Sequence, residues 1–229
     1  MISSLIEQQN IWWKTGKFER DLFSRTILPE LIGSLQTHKI IALVGSRQVG
    51  KTSLLYLLIQ HLLQKGVSPT DILYFNLDDI GLRPLFSSPS DFLQYLKAGE
   101  QEKYVFIDEI QRLENPGLFL KALYDLGLKI NFIVSGSSQL ELRAKLKEFL
   151  VGRIRQFEIE RLSYAELRGL FPHRPARDLL SHLMIYGGYP EAVVHDSVEE
   201  KKNVLRGVVQ TYLQKDVSDF AKVENIDAF

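Results

Sequence analysis

The sequence predicts an α/β protein, a three-layer sandwich with helices on both faces of a five-stranded parallel sheet, followed by a small helical lid. Four short apolar runs and one alternating segment are separated by segments of helical character, as in parallel sheets whose strands are joined by helical crossovers. Polar residues directly follow several of these runs, which is where open α/β sheets bind ligands. We expect residues 1–160 to form the α/β domain with an N-terminal arm, and residues 161–229 to form the lid and the start of a C-terminal region.

The first predicted strand, Lys39–Val44, leads into the octapeptide Gly45–Thr52. That octapeptide fits G-x-x-x-x-G-K-[ST], the phosphate-binding loop, and the apolar residues after it continue as a helix. Gly45 and Gly50 permit backbone conformations in which successive N–H groups turn toward a polyphosphate. The helix start adds free N–H groups and the positive end of its dipole. The sequence therefore predicts a nucleotide site here.

Two side chains of the loop have separate expected tasks. Lys51 would reach the β and γ phosphates as a point charge, and the Thr52 hydroxyl would hold Mg²⁺. The full set of expected nucleotide-binding residues is Gly45, Ser46, Arg47, Gln48, Val49, Gly50, Lys51, Thr52 and Ser53.

The second predicted strand, Ile72–Leu77, ends in Asp78 and Asp79. These carboxylates either face the nucleotide or, as acids at strand ends commonly do, form a turn. The segment after them, Arg83–Pro89, contains two prolines and two serines and predicts a loop. We expect Ser90 and Asp91 to cap the next helix.

The third predicted strand, Tyr104–Ile107, ends in Asp108 and Glu109. An acid at the carboxyl end of a buried strand, across the sheet from a phosphate loop, reaches the metal through its water shell. Glu109 is then placed to polarise a water in line with the γ phosphate as a general base. Acids at strand ends are common, so the preceding phosphate loop is what makes this pair specific.

The fourth predicted strand, Ile130–Val134, is followed by Ser135, which we expect to face the γ phosphate. Ser138 and Glu141 predict a capping box for the next helix. The alternating residues 151–159 predict a fifth strand, entered through Gly152 and Arg153. The remaining elements are helical: a capping box opens a helix at Ser163–Glu166, and further helices are expected over Leu179–Tyr186 and Val198–Val217.

Composition excludes several classes of site. The chain has 28 Lys plus Arg and 28 Asp plus Glu, so no overall basic field favours nucleic acid. It has no cysteine, which excludes disulfides, thiolate metal sites and cysteine nucleophiles. Its five histidines show no H-x-x-x-H spacing, and no apolar run reaches 18 residues. We expect a cytoplasmic protein without a histidine metal site or a membrane partner.

These motifs, in this order, resemble the AAA+ class of P-loop ATPases and imply the P-loop NTPase fold. The resemblance makes Gly45–Thr52 the Walker A motif, Phe106–Glu109 the Walker B motif, Ser135 a polar sensor and Arg153 an arginine finger that enters a second copy. It covers the chain from about Lys39 to its end. Five stretches are similar to one family of bacterial and archaeal ATPases that usually carry a C-terminal winged-helix and nuclease-like region: residues 45–52, 106–113, 134–138, 150–153 and 187–191.

Three departures limit what the resemblance implies. The chain stops at Phe229 without that C-terminal region, so we expect a shortened or naturally short member. The lid turn, Gly187–Glu191, has no arginine where many AAA+ proteins place a second sensor. The segment Ile80–Phe86 lacks the aromatic-apolar-glycine signature of protein-threading rings, which argues against an unfoldase.

The resulting hypothesis is Mg²⁺-dependent ATP hydrolysis that is coupled to remodelling of DNA or a protein partner. Two alternatives stay open: a slow nucleotide-operated switch or scaffold, and a small-molecule kinase. Arg153 is either the finger that implies a homo-oligomer or a structural arginine. DNA is expected through the winged-helix region of the resembling family, with support here only from a basic run: Arg143, Lys145, Lys147, Arg153 and Arg155. Three roles are open for Trp12 and Trp13: they cover the adenine, they dock a partner, or they pack on the core.

Overall fold

The computed structural model describes residues 2–96, 101–137, 146 and 148–211. Within these residues, five strands form one parallel sheet in the order β2-β3-β4-β1-β5. This confirms the predicted fold class. The strands are β1 at Ile40–Gly45, β2 at Ile72–Asn76, β3 at Lys103–Asp108, β4 at Ile130–Ser137 and β5 at Ile154–Glu158.

The chain divides into two compact units, which are described separately. Residues 1–45 and 51–158 form the first unit, and residues 46–50 and 159–229 form the second. The helices described in the first unit are Ile2–Gln9, Trp12–Thr15, Leu28–Ser34, Lys51–Gln64, Pro89–Leu96 and Pro116–Tyr124, with 3₁₀ turns at Leu35–Thr37, Pro69–Asp71, Ile80–Phe86 and Ile110–Arg112. Those described in the second unit are Tyr164–Leu170, Ala176–Tyr186, Pro190–Val194 and Val198–Thr211.

The sheet has two faces of different character, because side chains alternate along each strand. One face supplies apolar residues such as Val44, Phe75 and Ile107 to a large buried core that includes residues of helices Pro89–Leu96 and Pro116–Tyr124. The other face packs on helix Lys51–Gln64 and carries the polar residues of the site. Burial on both faces explains why β1 to β4 each contain a nearly continuous apolar run in the sequence, whereas the edge strand β5 mixes polar and apolar residues.

The open edge of β2 is covered by amide side chains of the N-terminal arm. Asn10 donates from Nδ2 to the Tyr74 carbonyl at 2.8 Å and accepts from the Tyr74 N–H at 2.6 Å. The preceding residue, Gln9, accepts from the Asn76 N–H at 2.8 Å. These bonds satisfy the backbone groups that a further strand would otherwise pair, so the arm protects a sheet edge that could template aggregation.

Both tryptophans of the arm serve the same strand. Trp12 and Trp13 donate their indole N–H groups to the Ile72 carbonyl, at 3.0 and 2.9 Å. Trp12 is fully buried and Trp13 packs against the large core. Of the expected roles for this pair, the structure shows packing on the core.

The acids after β2 form a turn, which was the structural alternative. Asp79 accepts a hydrogen bond from the Gly81 N–H at 2.9 Å and caps the 3₁₀ helix Ile80–Phe86. Asp78 forms an ion pair with Arg112 at 2.7 Å. Neither carboxylate joins the polar face of the sheet.

Two local predictions in this region were wrong. The segment expected as a loop is largely the 3₁₀ helix Ile80–Phe86, which holds Pro84 within it because the looser hydrogen bonding of a 3₁₀ turn tolerates the missing donor. The next helix begins at Pro89 and is capped by Ser88, whose Oγ accepts from the Asp91 N–H at 3.1 Å. The capping box expected at Ser138 and Glu141 lies outside the described residues.

The second unit has a small core of its own, formed by Leu162, Leu167, Leu179 and Val193. The predicted capping box of Ser163 and Glu166 is present. Gly188 accepts a hydrogen bond from the Leu162 N–H at 2.7 Å, and a Cβ on Gly188 would lie 2.1 Å from the Leu162 carbonyl oxygen. Only glycine fits at that approach.

We predict that Asn10→Ala lowers the free energy of unfolding by about 2–4 kcal/mol, because it leaves the buried Tyr74 N–H and carbonyl groups unpaired. Urea unfolding followed by tryptophan fluorescence measures the change. Gln8→Ala is the matched control, since Gln8 lies on the same arm and its side chain is exposed. Equal stability of the two variants would contradict a bridging role for Asn10.

Candidate functional site

The loop between β1 and the following helix uses left-handed backbone conformations at two residues. Gly50 has φ 95° and Gln48 has φ 60°, whereas Gly45 is the last residue of the extended strand β1. The prediction that both glycines adopt special conformations was therefore right for Gly50 and wrong for Gly45. Gln48 supplies the second left-handed residue, at a cost that a non-glycine residue pays only where the fold requires it.

The side chains of the loop differ in exposure. Ser46 and Gln48 are exposed, Arg47 is half-buried and Val49 is buried. Ser53 is half-buried in the first turn of the helix.

Lys51 is the first residue of helix Lys51–Gln64 and is only 6% exposed. Its Nζ donates to the Gly45 carbonyl at 3.0 Å. The bond links the two ends of the loop, so the ammonium group is held at the end of β1.

Asp108, the last residue of β3, is 1% exposed. Thr52 and Tyr74 donate their hydroxyl protons to its Oδ2, at 2.7 and 2.9 Å, and Ser135 donates its hydroxyl proton to Oδ1. A buried carboxylate is expensive unless hydrogen bonds compensate it, and here three hydroxyl groups do so. Ser135 was expected to be free to face a phosphate, but its hydroxyl is bonded to Asp108.

Tyr74 reaches Asp108 from the neighbouring strand β2. Burial, together with the Asp108 carboxylate and the Tyr56 hydroxyl, raises the pKa of Tyr74 well above its ordinary value. The phenol is therefore neutral at physiological pH and keeps its proton for the carboxylate. The Tyr56 hydroxyl, on helix Lys51–Gln64, lies 3.4 Å from the Tyr74 hydroxyl.

Glu109 has a left-handed backbone, with φ 59° and ψ 45°. Such a conformation is unfavourable for a residue with a Cβ and tends to occur at functional sites. The Glu109 N–H donates to the Ser135 Oγ at 3.3 Å, and the Glu109 carboxylate accepts a short hydrogen bond from the Gln111 amide. Gln111 in turn accepts from the Ser137 N–H at 3.2 Å, so β4 and the loop after β3 are tied together.

Ser137 is the last residue of β4 and pairs in register with Gly45 of β1. Its Oγ is buried and has no hydrogen-bond partner within the described part of the chain. A buried hydroxyl without a partner is uncommon and needs an explanation.

Arg153 lies at the other edge of the sheet. Its carbonyl accepts from the Ile40 N–H at the start of β1. Asp108, in contrast, is the last residue of β3, and Lys51 comes after the end of β1. Its guanidinium binds Asp125 through two bonds of 2.6 and 3.2 Å, and this pairing raises the pKa of Arg153 and lowers that of Asp125. Arg153 therefore does not join Asp108 in its own chain.

The basic run is only partly described. Arg155 pairs with Glu30 at 2.9 Å, and Arg153 pairs with Asp125 as above, so both of its described members are matched by an acid. Arg143, Lys145 and Lys147 lie outside the described residues.

The oxygen donors at Asp108 fit a hard divalent cation. Thr52 and Asp108 provide a hydroxyl and a carboxylate 2.7 Å apart, and oxygen is the ligand atom that Mg²⁺ prefers. Among the described residues there is no cluster of three His, Cys, Asp or Glu. One or two protein ligands, with the remainder from water and phosphate, is the usual arrangement for Mg²⁺.

The structure thus brings together Lys51, Thr52, Asp108, Glu109 and Ser135 of the predicted site and leaves Arg153 apart. Three further residues were not predicted: Tyr74, Gln111 and Ser137. The period of two along β2 places Tyr74 on the same face as Asn76, which pairs in register with Asp108, so strand alternation could have identified Tyr74 once the strand order was known.

Two solved structures share the fold of this chain. Among solved structures, Hsp104 in a closed state with ATPγS and FITC casein has TM-score 0.50 and 17% identity, covering 78% of this chain and 34% of that chain. AMPPCP-bound DnaA from Aquifex aeolicus has TM-score 0.50 and 17% identity, covering 85% of this chain and 64% of that chain. The fold is that of the P-loop ATPases of the AAA+ class.

Comparison of the chain with protein families identifies the family to which it belongs. Residues 37–168 match the AAA domain family, so the chain belongs to that family. Residues 177–229 match a domain of unknown function. In the described part of the chain, no helix has the length and apolar character needed to span a membrane.

Two curated relatives are uncharacterized proteins. One, from Haemophilus influenzae, is 29% identical over 210 residues, covering 86% of this chain and 51% of the relative. The other, from Methanocaldococcus jannaschii, is 26% identical over 201 residues, covering 82% of this chain and 44% of the relative. The chain therefore spans about half the length of these relatives.

Proposed function

We propose that the protein is a Mg²⁺-dependent ATPase. The observation that carries this proposal is a hydrogen-bonded set of residues at the carboxyl ends of the strands: Thr52, Asp108, Glu109 and Ser135. Lys51 precedes Thr52 in the same helix. Phosphoryl transfer to water needs mainly positioning and neutralisation of charge, and this set has side chains for both. The AAA+ fold of the structural neighbours and the family assignment support nucleotide binding.

Each residue has a defined role in this proposal. The N–H groups of loop 45–50 and the Lys51 ammonium hold the phosphates, and Lys51 exchanges its bond to the Gly45 carbonyl for phosphate oxygens. Thr52 and Asp108 hold Mg²⁺, which neutralises charge on the β and γ phosphates when it is bound. Ser137, whose buried hydroxyl has no partner in the described residues, is a second polar group at the end of β4 beside the loop.

Glu109 is the proposed general base. Its carboxylate would orient a water molecule and accept a proton from it during attack on the γ phosphorus. In the structure this carboxylate is held by the Gln111 amide. Exchange of that amide for water is therefore part of the proposed cycle.

The same bond favours a second function, a slow nucleotide-operated switch. A base that is held by Gln111 hydrolyses slowly until another event releases it. Turnover on the order of 10⁻³ s⁻¹ or less with tightly retained nucleotide is the behaviour of unassisted nucleotide switches, and would select this alternative. Release of phosphate without any acceptor excludes the small-molecule kinase.

Coupling to a partner is the finer part of the proposal. DNA or protein remodelling requires partner contacts, and the basic residues described here, Arg153 and Arg155, are each paired with an acid. An AAA+ ring would bring Arg153 into the site of a second copy, after release from Asp125. DNA binding that weakens steeply with salt would support the nucleic-acid branch.

We predict that Glu109→Gln keeps ATP affinity and lowers turnover by about 10² to 10⁴, because the amide cannot accept the proton of the attacking water. Phosphate release and binding of a fluorescent ATP analogue measure the two effects. Glu114→Gln, an exposed acid in the same loop, is the matched control. Unchanged turnover in Glu109→Gln would remove Glu109 from the mechanism.

Gln111→Leu should raise basal turnover about tenfold or more, because one hydrogen bond to a charged group, worth about 1.5 kcal/mol or more, no longer holds Glu109 away from water. Steady-state phosphate release at saturating ATP gives this number. The double variant Glu109→Gln, Gln111→Leu should show no such increase. A fall in turnover for Gln111→Leu would mean that Gln111 orients Glu109 productively.

For Arg153→Ala we expect a change in turnover of no more than about twofold, since the guanidinium binds the exposed Asp125 and not Asp108, and exposed ion pairs contribute little. Turnover should be recorded over a range of protein concentrations, with Arg155→Ala as control. A loss of about 10³, with wild-type activity that rises with protein concentration, would instead assign Arg153 as a finger in a second copy.

A further inference from the structure

The Asp108 carboxylate is linked to a part of the molecule that takes no part in the proposed chemistry. Tyr74 donates to the same oxygen, Oδ2, that receives the Thr52 hydroxyl. Tyr74 is only 2% exposed. Asn10 of the N-terminal arm holds the Tyr74 backbone at both the N–H and the carbonyl. The position of the Tyr74 hydroxyl therefore depends on the arm.

A continuous row of aromatic rings makes a second connection between the arm and Tyr74. Trp12 contacts Phe18, Phe18 contacts Tyr56, and Tyr56 contacts Tyr74, each with ring centroids 5.2 Å apart. The Arg20 guanidinium lies 4.6 Å from the centre of the Tyr56 ring. The arm thus contacts the Tyr74 backbone directly. It reaches the Tyr74 side chain indirectly, through the ring of Tyr56.

Beside these rings lies a cavity of about 220 Å³. Its lining includes Gln9 and Phe18 from the arm, and Tyr56, Tyr74 and Asn76 from the first unit's helix and edge strand. On this side the rings are not closely packed by other side chains. A displaced arm would therefore leave the tyrosine rings room to move, and their movement would change the hydrogen bond from Tyr74 to Asp108.

We infer that Tyr74 is a positioning residue for the Asp108 carboxylate, and that seating of the N-terminal arm on β2 sets the affinity for the metal–nucleotide complex through Tyr74. This inference rests on the proposed function. Outer hydrogen-bond partners of metal-binding carboxylates commonly change metal affinity 10- to 100-fold when they are removed. The arm is then a regulatory element, and a partner that lifts it would weaken nucleotide binding without touching the phosphate loop.

The test compares Tyr74→Phe with wild type by binding of a fluorescent ATP analogue, in EDTA and across a Mg²⁺ titration. Tyr74→Phe should keep the EDTA affinity within about twofold and need about tenfold more Mg²⁺ for half-maximal tightening. Tyr104→Phe is the matched control, because Tyr104 lies at the other end of β3 and its hydroxyl bonds Glu102. Thermal unfolding of each variant without ligand separates this effect from loss of structure.

Two further variants keep the test decisive. Tyr56→Phe removes the hydroxyl next to Tyr74 but leaves the bond from Tyr74 to Asp108 in place. Phe18→Leu removes the ring through which the arm contacts Tyr56. Both should raise the Mg²⁺ requirement by less than Tyr74→Phe does. An unchanged requirement in Phe18→Leu overturns the role of the arm, and an unchanged requirement in Tyr74→Phe overturns the whole inference. Wild-type protein that binds no nucleotide refutes the proposed function itself.

Discussion

The buried carboxylate of Asp108 is the constraint on which the rest of the first unit depends. A charge in this position needs several hydrogen bonds, because desolvation of an unpaired carboxylate costs several kcal/mol. The donors are hydroxyl groups from three separate elements: Thr52 on the helix after the loop, Tyr74 on β2 and Ser135 on β4. These elements can satisfy one carboxylate only when β2, β3 and β4 are neighbours and the helix covers their common face. The observed strand order meets that condition.

The edge of the sheet presents the complementary problem of unpaired backbone groups. In the part of the chain that the structure describes, β2 has a strand on one side only. The arm satisfies the other side with side chains: Asn10 and Gln9 bind N–H and carbonyl groups, and two tryptophans share the Ile72 carbonyl. Side-chain amides carry both a donor and an acceptor, as a backbone amide does.

The fold class, and the candidate site residues that the structure brings together, could be predicted from fixed spacing in the sequence. The loop Gly45–Thr52 and the pair Asp108–Glu109 follow apolar runs directly, so their chemistry is local and visible in the chain. Contacts between distant segments were not visible. Tyr74 reads as one more apolar residue of a buried strand until the strand order places it beside Asp108, and Ser135 reads as free until Asp108 is seen to bind it. The cap at Ser88 was missed because several serines in succession all fit the capping pattern.

The hydrogen bonds around Asp108 also decide how the site can act without rearranging. A hydroxyl group has one proton and two lone pairs, so Thr52 can keep its proton on Asp108 while an oxygen lone pair remains for a cation. Ser135 likewise donates to Asp108 while it accepts from the Glu109 N–H. Glu109 differs, because its carboxylate already accepts a hydrogen bond from the Gln111 amide, which a water molecule would have to replace. The part of the site that would hold metal is therefore preformed in this structure, and the proposed base is the part that has to move, which makes its release from Gln111 the physical step at which a partner could control turnover.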